Sequence, residues 1–271
     1  MAFKIGFAAE RSENKPVETT YTVQQQTATP RKSVVQVYFA GRNMTLAYYN
    51  DQFDLRRGDM VYVDGKLEGM RGRVTDVNYN FKIKVSDYKR VIAVVDTSVS
   101  GQFFMAGSHF VTFDRAALPI SKVAGWYKAP AKEDDEFVSG SDDTAFNLTE
   151  LWRMNVSSAI ADRGRDYFME NRVKYICIDG TKGYAIVEGS EPYEVEFEYK
   201  DGQISALTCS CFCSYTCKHE FAAMLQLQET LELIEKNYED EYDRTGYFAA
   251  VSKGTLFAFA IDGKETGSFT L

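Results

Sequence analysis

The chain has 271 residues, 45% of them hydrophobic and 14% aromatic, and a formal net charge of −8. That composition excludes a disordered polypeptide and suffices for one large core or two small ones. No run approaches the ~20 apolar residues of a membrane-spanning helix, and residues 1–10 lack the apolar stretch and small-residue cleavage site of a secretory leader; the expected setting is cytoplasmic, without membrane contact.

In chain order, residues 1–33 open on a strand-like Phe3-Lys4-Ile5-Gly6-Phe7 and run on through polar sequence to Pro30, an N-terminal arm. Residues 34–130 are dense in short strand patterns. Val35, Val37 and Phe39 alternate with Gln36 and Tyr38; Leu46–Tyr49 follows a Gly41-Arg42-Asn43 turn; Met60–Val63 runs into the hairpin signal Asp64-Gly65; Arg73–Val77 and Val91–Val95 supply two more. Five short strands with tight turns predict a small β-barrel, followed by an aromatic stretch around Phe103, Phe104, Phe110 and Phe113.

Residues 131–144, acidic and rich in glycine and serine, predict a linker. Residues 145–237 follow as helix, sheet, helix. A helical start at Leu148–Met154 precedes strands at Val173–Ile178, Tyr184–Val187 and Tyr193–Tyr199, the last alternating between an apolar and an acidic face. Asp201-Gly202 turns into Ile204–Cys209, and a helix from Cys217 to about Asn237 carries Phe221, Met224, Leu225, Leu227, Leu231 and Ile234 on one side. Residues 238–271 form a β tail around Asp262-Gly263. The expected fold is α+β and β-rich, in two domains.

Four of the five cysteines lie between 209 and 217, beside His219; the fifth, Cys177, sits mid-strand as a core residue. A disulfide framework would spread its cysteines; crowding beside a histidine predicts metal in a reducing compartment. Structural zinc takes four thiolate or imidazole ligands in a tetrahedron, and Cys209, Cys211, Cys217 and His219 supply them. Cysteines at i and i+2 on a strand end share a face, and a helix N-terminus with Lys218 favours the thiolates of the second pair. Cys213 leaves a second register open, Cys211-Cys213-Cys217-His219, with three residues between the pairs instead of five.

A hairpin followed by C-x-C, a gap, then C-x-H opening an amphipathic helix resembles the SWIM-type zinc finger. The resemblance spans roughly residues 150–235 and includes the upstream Asp162-Arg163-Gly164-Arg165-Asp166-Tyr167-Phe168, Asn171-Arg172-Val173, Val187-Glu188-Gly189-Ser190 and Tyr193-Glu194-Val195. It implies a bacterial SWIM protein with one structural zinc and all four positions filled by protein. The segment Arg56–Val74 is similar to KOW-type elements of SH3-like barrels, with weaker similarity upstream to the primosomal helicase barrel and PSP1-type domains. Such barrels meet nucleic acid or RNA polymerase.

The charge is divided: residues 31–130 carry net +6 and residues 131–271 net −14. Lys66, Arg71, Arg73, Lys82, Lys84, Lys89 and Arg90 are candidate phosphate contacts, and Tyr48, Tyr49, Tyr79 and Phe81 candidates for stacking on bases. No G-x-x-x-x-G-K-[ST] loop occurs, and no nucleophile arrangement surrounds His109, the only other histidine. The expected function is a non-enzymatic zinc-binding module that engages nucleic acid or a nucleoprotein machine. The alternatives are a protein-interaction adaptor and an accessory subunit of an enzyme on another chain.

Overall fold

The computed structural model describes residues 4–6, 30–132, 138, 140, 144–211 and 213–260. It divides into two compact units, one spanning Phe7–Asp96 and one combining Met1–Gly6 with Thr97–Leu271. The first strand, β1 (Lys4–Gly6), belongs to the larger unit.

The smaller unit holds β2 (Ser33–Phe39), β3 (Met44–Asn50), β4 (Met60–Val63), β5 (Arg71–Asn78) and β6 (Val91–Val94). They form one antiparallel sheet in the order β3-β2-β5-β4-β6. The alternation in the sequence has the expected effect, since Val35, Val37, Phe39, Val61, Val63 and Val74 share a core. The expected barrel, however, is not closed by strand pairing. Among the described residues its edges meet only at a bridge between Tyr49 and Arg90, where the Tyr49 amide donates to the Lys89 carbonyl at 2.9 Å. Beyond that point β6, only four residues long, is engaged with β4.

Residues 97–130, expected with the barrel, belong to the larger unit. They form β7 (Gln102–Ala106), β8 (His109–Thr112) and α1 (Ile120–Tyr127). All four residues of β8 are buried, so this strand needs cover on both faces, and a place inside a large sheet provides it. The unit continues with β9 (Phe146–Asn147), α2 (Ser158–Met169), β10 (Val173–Asp179), β11 (Lys182–Glu188), β12 (Pro192–Lys200), β13 (Gln203–Cys209), α3 (Lys218–Thr245), β14 (Tyr247–Ser252) and α4 (Lys253–Ala260). Among the described residues its nine strands are ordered β1-β7-β8-β14-β10-β11-β12-β13-β9.

One face of this sheet carries Ile176, Ile178, Ala185, Val187, Val195, Phe197, Ile204, Phe248 and Ala250, packed with Phe221, Ala222, Met224 and Leu227 of α3. On the other face Tyr175 donates to the Leu118 carbonyl at 2.8 Å, and Trp126 stacks on Phe259 at 4.9 Å, joining α1 to α4. The helix start expected at Leu148 is a short 3-10 turn, Leu148–Arg153, ahead of α2. α3 runs past the expected Asn237 to Thr245, but across a kink at Tyr238, whose backbone is non-helical (φ −145°); the Tyr238 hydroxyl donates to the Met105 carbonyl at 2.9 Å and its ring lies 4.9 Å from Phe104. The tail is a strand followed by a helix; Asp262-Gly263 and most of the acidic segment 131–144 lie outside the described residues. Among the described residues no helix is long and apolar enough to cross a membrane.

The β12–β13 ladder contains a bulge. Glu196 pairs with Thr208 but Glu198 with Ser205, and Ala206, on the longer side, has φ +49°. An alanine there meets the Cβ–carbonyl crowding that disfavours left-handed backbone by about 1–2 kcal/mol. Ala206→Gly is therefore expected to stabilise the protein, by up to about 1 kcal/mol once the unfolded-state entropy of glycine is counted. Urea denaturation with an unchanged m-value checks this; a loss of stability would refute it.

Candidate metal centre

β13 brings the first ligand pair to the site. Cys209 pairs with Val195 at the strand end, and Ser210 prolongs the ladder by one residue: its amide donates to the Glu194 carbonyl and its hydroxyl accepts from the Glu194 amide, both at 2.9 Å. With Ser210 pinned, Cys209 and Cys211 fall on the same side of an extended chain.

The second pair opens α3. Cys217 is the N-cap residue, and Glu220, three positions on, accepts the Cys217 amide at 2.6 Å, while the Glu220 amide donates to the Cys217 sulfur. This is a capping box with cysteine in the place usual for serine or threonine. Glu220 was absent from the expected residues, although a cap residue followed three positions later by glutamate was legible as C-x-x-E. Gly164 of α2 lets the helices close up here, since a Cβ on it would lie 2.8 Å from Phe221 and 3.1 Å from the Lys218 carbonyl.

The four expected ligands converge, their sulfur and nitrogen atoms all lying within 4.8 Å of one another. His219 Nδ1 lies 3.8 Å from Cys209 Sγ and 3.6 Å from Cys217 Sγ. A tetrahedral ion with bonds of ~2.3 Å to sulfur and ~2.0 Å to nitrogen separates such ligands by about 3.6 Å, and two sulfurs by about 3.8 Å. The cluster is thus within about 1 Å of closing on an ion, and its donor set suits one. Cys213 stands outside the group and is exposed.

The surroundings hold the imidazole. His219 is 4% exposed, stacked on Tyr193 at 4.1 Å and met edge-on by Tyr167 at 5.5 Å. Gly189 is required beside it, because a Cβ there would come 2.7 Å from Tyr193 and 3.2 Å from His219 Nε2. Tyr167 also lies under Lys218, at 4.5 Å, and Arg172, at 4.8 Å. Two cations therefore stand near a centre whose three thiolates and one divalent ion would carry net −1.

The basic residues of the smaller unit are dispersed. Lys66 is exposed in the Gly65–Leu67 turn, and the Lys89 methylenes pack over Gly65. Arg71 and Arg73 are half-buried two positions apart on β5, where their side chains share a face. Lys82 and Lys84 are exposed in the segment after β5, Lys84 paired with Asp87 at 3.8 Å. Arg90 is bound to Asp51 and lies 5.2 Å from the Tyr49 ring. The expected stacking role of Tyr48 and Tyr49 is contradicted: they are 4% and 5% exposed and belong to the buried interior, where aromatic residues fill a small sheet well. Tyr79 is partly exposed beneath the Arg31 guanidinium, at 4.2 Å, and Phe81 meets Tyr49 edge-on at 6.3 Å.

His109 is fully buried. Its Nε2 donates to the Val173 carbonyl at 2.8 Å, which leaves Nδ1 to accept from the Ser108 hydroxyl at 2.9 Å. It ties β8 to the start of β10. Cys177 is buried in the sheet, as expected. Comparison with known proteins finds no matching family model, no similar curated protein and no similar solved structure.

The centre's protonation sets its pH dependence. Burial, and then the charge of Cys217, push the Cys211 thiol up to about 12. The hydrogen bond with Cys209, followed by burial, holds Cys217 far above the ordinary thiol range. His219 is lowered to about 4 by burial and Lys218, and is neutral, with a lone pair ready. A metal ion must displace the protons of Cys211 and Cys217, so affinity rises with pH and falls on acidification. The expected slope is at least about 100-fold per pH unit from about pH 6 to 8. Competition with a chelator of known affinity checks it; a flat profile would contradict it.

Proposed function

We propose that the larger unit is a structural zinc-binding module of the SWIM type. The observation that carries this reading is the convergence of Cys209, Cys211, Cys217 and His219 from a strand end and a helix start, which share few other reasons to meet. Three thiols and an imidazole favour zinc over calcium or magnesium, which prefer oxygen. A bound zinc would tie the β12–β13 hairpin to α3 and supply fold stability. The protein fills all four positions, leaving none for a water nucleophile.

Purified protein is expected to contain one zinc per chain. Cys217→Ser or His219→Ala should release it, and chelation should lower the melting temperature by about 10 °C, because the metal binds only the folded state. Elemental analysis showing no zinc in folded protein would end this reading.

The partner we propose is nucleic acid, engaged through the smaller unit. The supporting observation is the net +6 of residues 31–130, with Lys66, Lys82, Lys84 and Lys89 presented on exposed turns and segments. Binding by phosphate contact weakens steeply with salt. Replacing Arg71 and Arg73 together with glutamine should lower the salt slope of the full chain by about two. No binding at ~50 mM salt, near the strongest regime for electrostatic contact, would favour the protein-interaction adaptor, whose support is the net −14 of residues 131–271.

A further inference from the structure

The candidate centre is sealed on one side and open on the other. Cys217 and His219 are buried, whereas Cys209 and Cys211 are half-buried and Cys213 is exposed. The Cys213 amide donates to the Cys211 sulfur, so the Cys213 backbone lies directly against a candidate ligand. A cavity of about 300 Å³, bounded by Cys209, Cys213, Tyr215 and Glu220 among others, opens beside the same loop. A small oxidant would therefore meet sulfur first on this face, with a non-ligand thiol two residues from the sulfur it attacks.

We propose that Cys213 is a resolving thiol and that the open face of the centre is a site of reversible peroxide oxidation; the inference rests on the zinc reading above. The Cys211 thiolate attacks one oxygen of hydrogen peroxide, the O–O bond breaks, and sulfenic acid and hydroxide form. The Cys213 thiol then attacks the sulfenic sulfur, an S–S bond forms, and water leaves with the thiol proton. One thiolate and one thiol are oxidised to one disulfide, and one peroxide is reduced to one water and one hydroxide. With Cys211 consumed, only Cys209, Cys217 and His219 would remain to hold an ion, and the site would lose its zinc. A dithiol reductant restores both thiols and the site.

The test uses the full zinc-loaded chain and hydrogen peroxide. Released zinc is read with a metallochromic dye, and the cysteine-containing peptide is read by tandem mass spectrometry. Wild type is expected to release zinc with loss of two hydrogens between Cys211 and Cys213, and to take zinc up again after dithiothreitol. Cys213→Ser is expected to start with the same zinc content, since Cys213 is exposed and outside the cluster. It should then gain two oxygens on Cys211 and fail to recover. Full recovery of Cys213→Ser, or a disulfide that omits Cys213, overturns the proposal. Absence of zinc from untreated Cys213→Ser overturns it too, by making Cys213 a ligand. Absence of zinc from the untreated wild type instead overturns the metal reading, and the proposal with it.

Discussion

The N-terminus of α3 is the point on which the larger unit depends. Cys217 ends a loop, caps a helix and turns its sulfur toward three other donors, and Glu220 fixes it by accepting its amide. Helix starts leave amides without intrahelical partners. Here two of those needs are met by one residue pair that also sets the position of a candidate ligand. The buried apolar side of α3 follows from this anchor, and the cover of five central strands follows from α3.

The same anchor explains why the surrounding aromatic residues are arranged as they are. An imidazole buried without charge needs a defined orientation to aim a lone pair. Tyr193 supplies a stacking face, Tyr167 an edge, and Gly189 the space in which both fit. Cations gather on Tyr167, where they stand near the thiolates without occupying the centre.

Much of this was legible from residue order. The candidate ligands announce themselves by type and spacing, and β2, β4, β10, β11 and β12 by alternation or apolar runs bounded by turns. What was not legible involves contacts made far along the chain. Residues 102–112 look like neighbours of the preceding strands, yet β8 pairs with β14, some 140 residues later. Tyr48 and Tyr49 carry the same composition whether they line a surface or fill a core, and only the packing of the smaller sheet distinguishes the two. The helical character of Lys253–Ala260 was hidden because its phenylalanines suit a strand equally well.

The bulge at Ala206 gives ligand spacing a hidden parity. Ile204 and Cys209 both pack on the core beneath α3, although they stand five residues apart in one strand. An uninterrupted strand would place an odd-numbered step on opposite faces. The extra residue restores the phase, so that both thiols of the first pair turn inward while Ile204 remains in the core. A centre of this kind is therefore specified by more than its four ligands and their intervals. It also needs the right odd or even count from the preceding hairpin turn, and two chains with identical cysteine motifs but hairpins differing by one residue would present their sulfurs to opposite sides of the sheet.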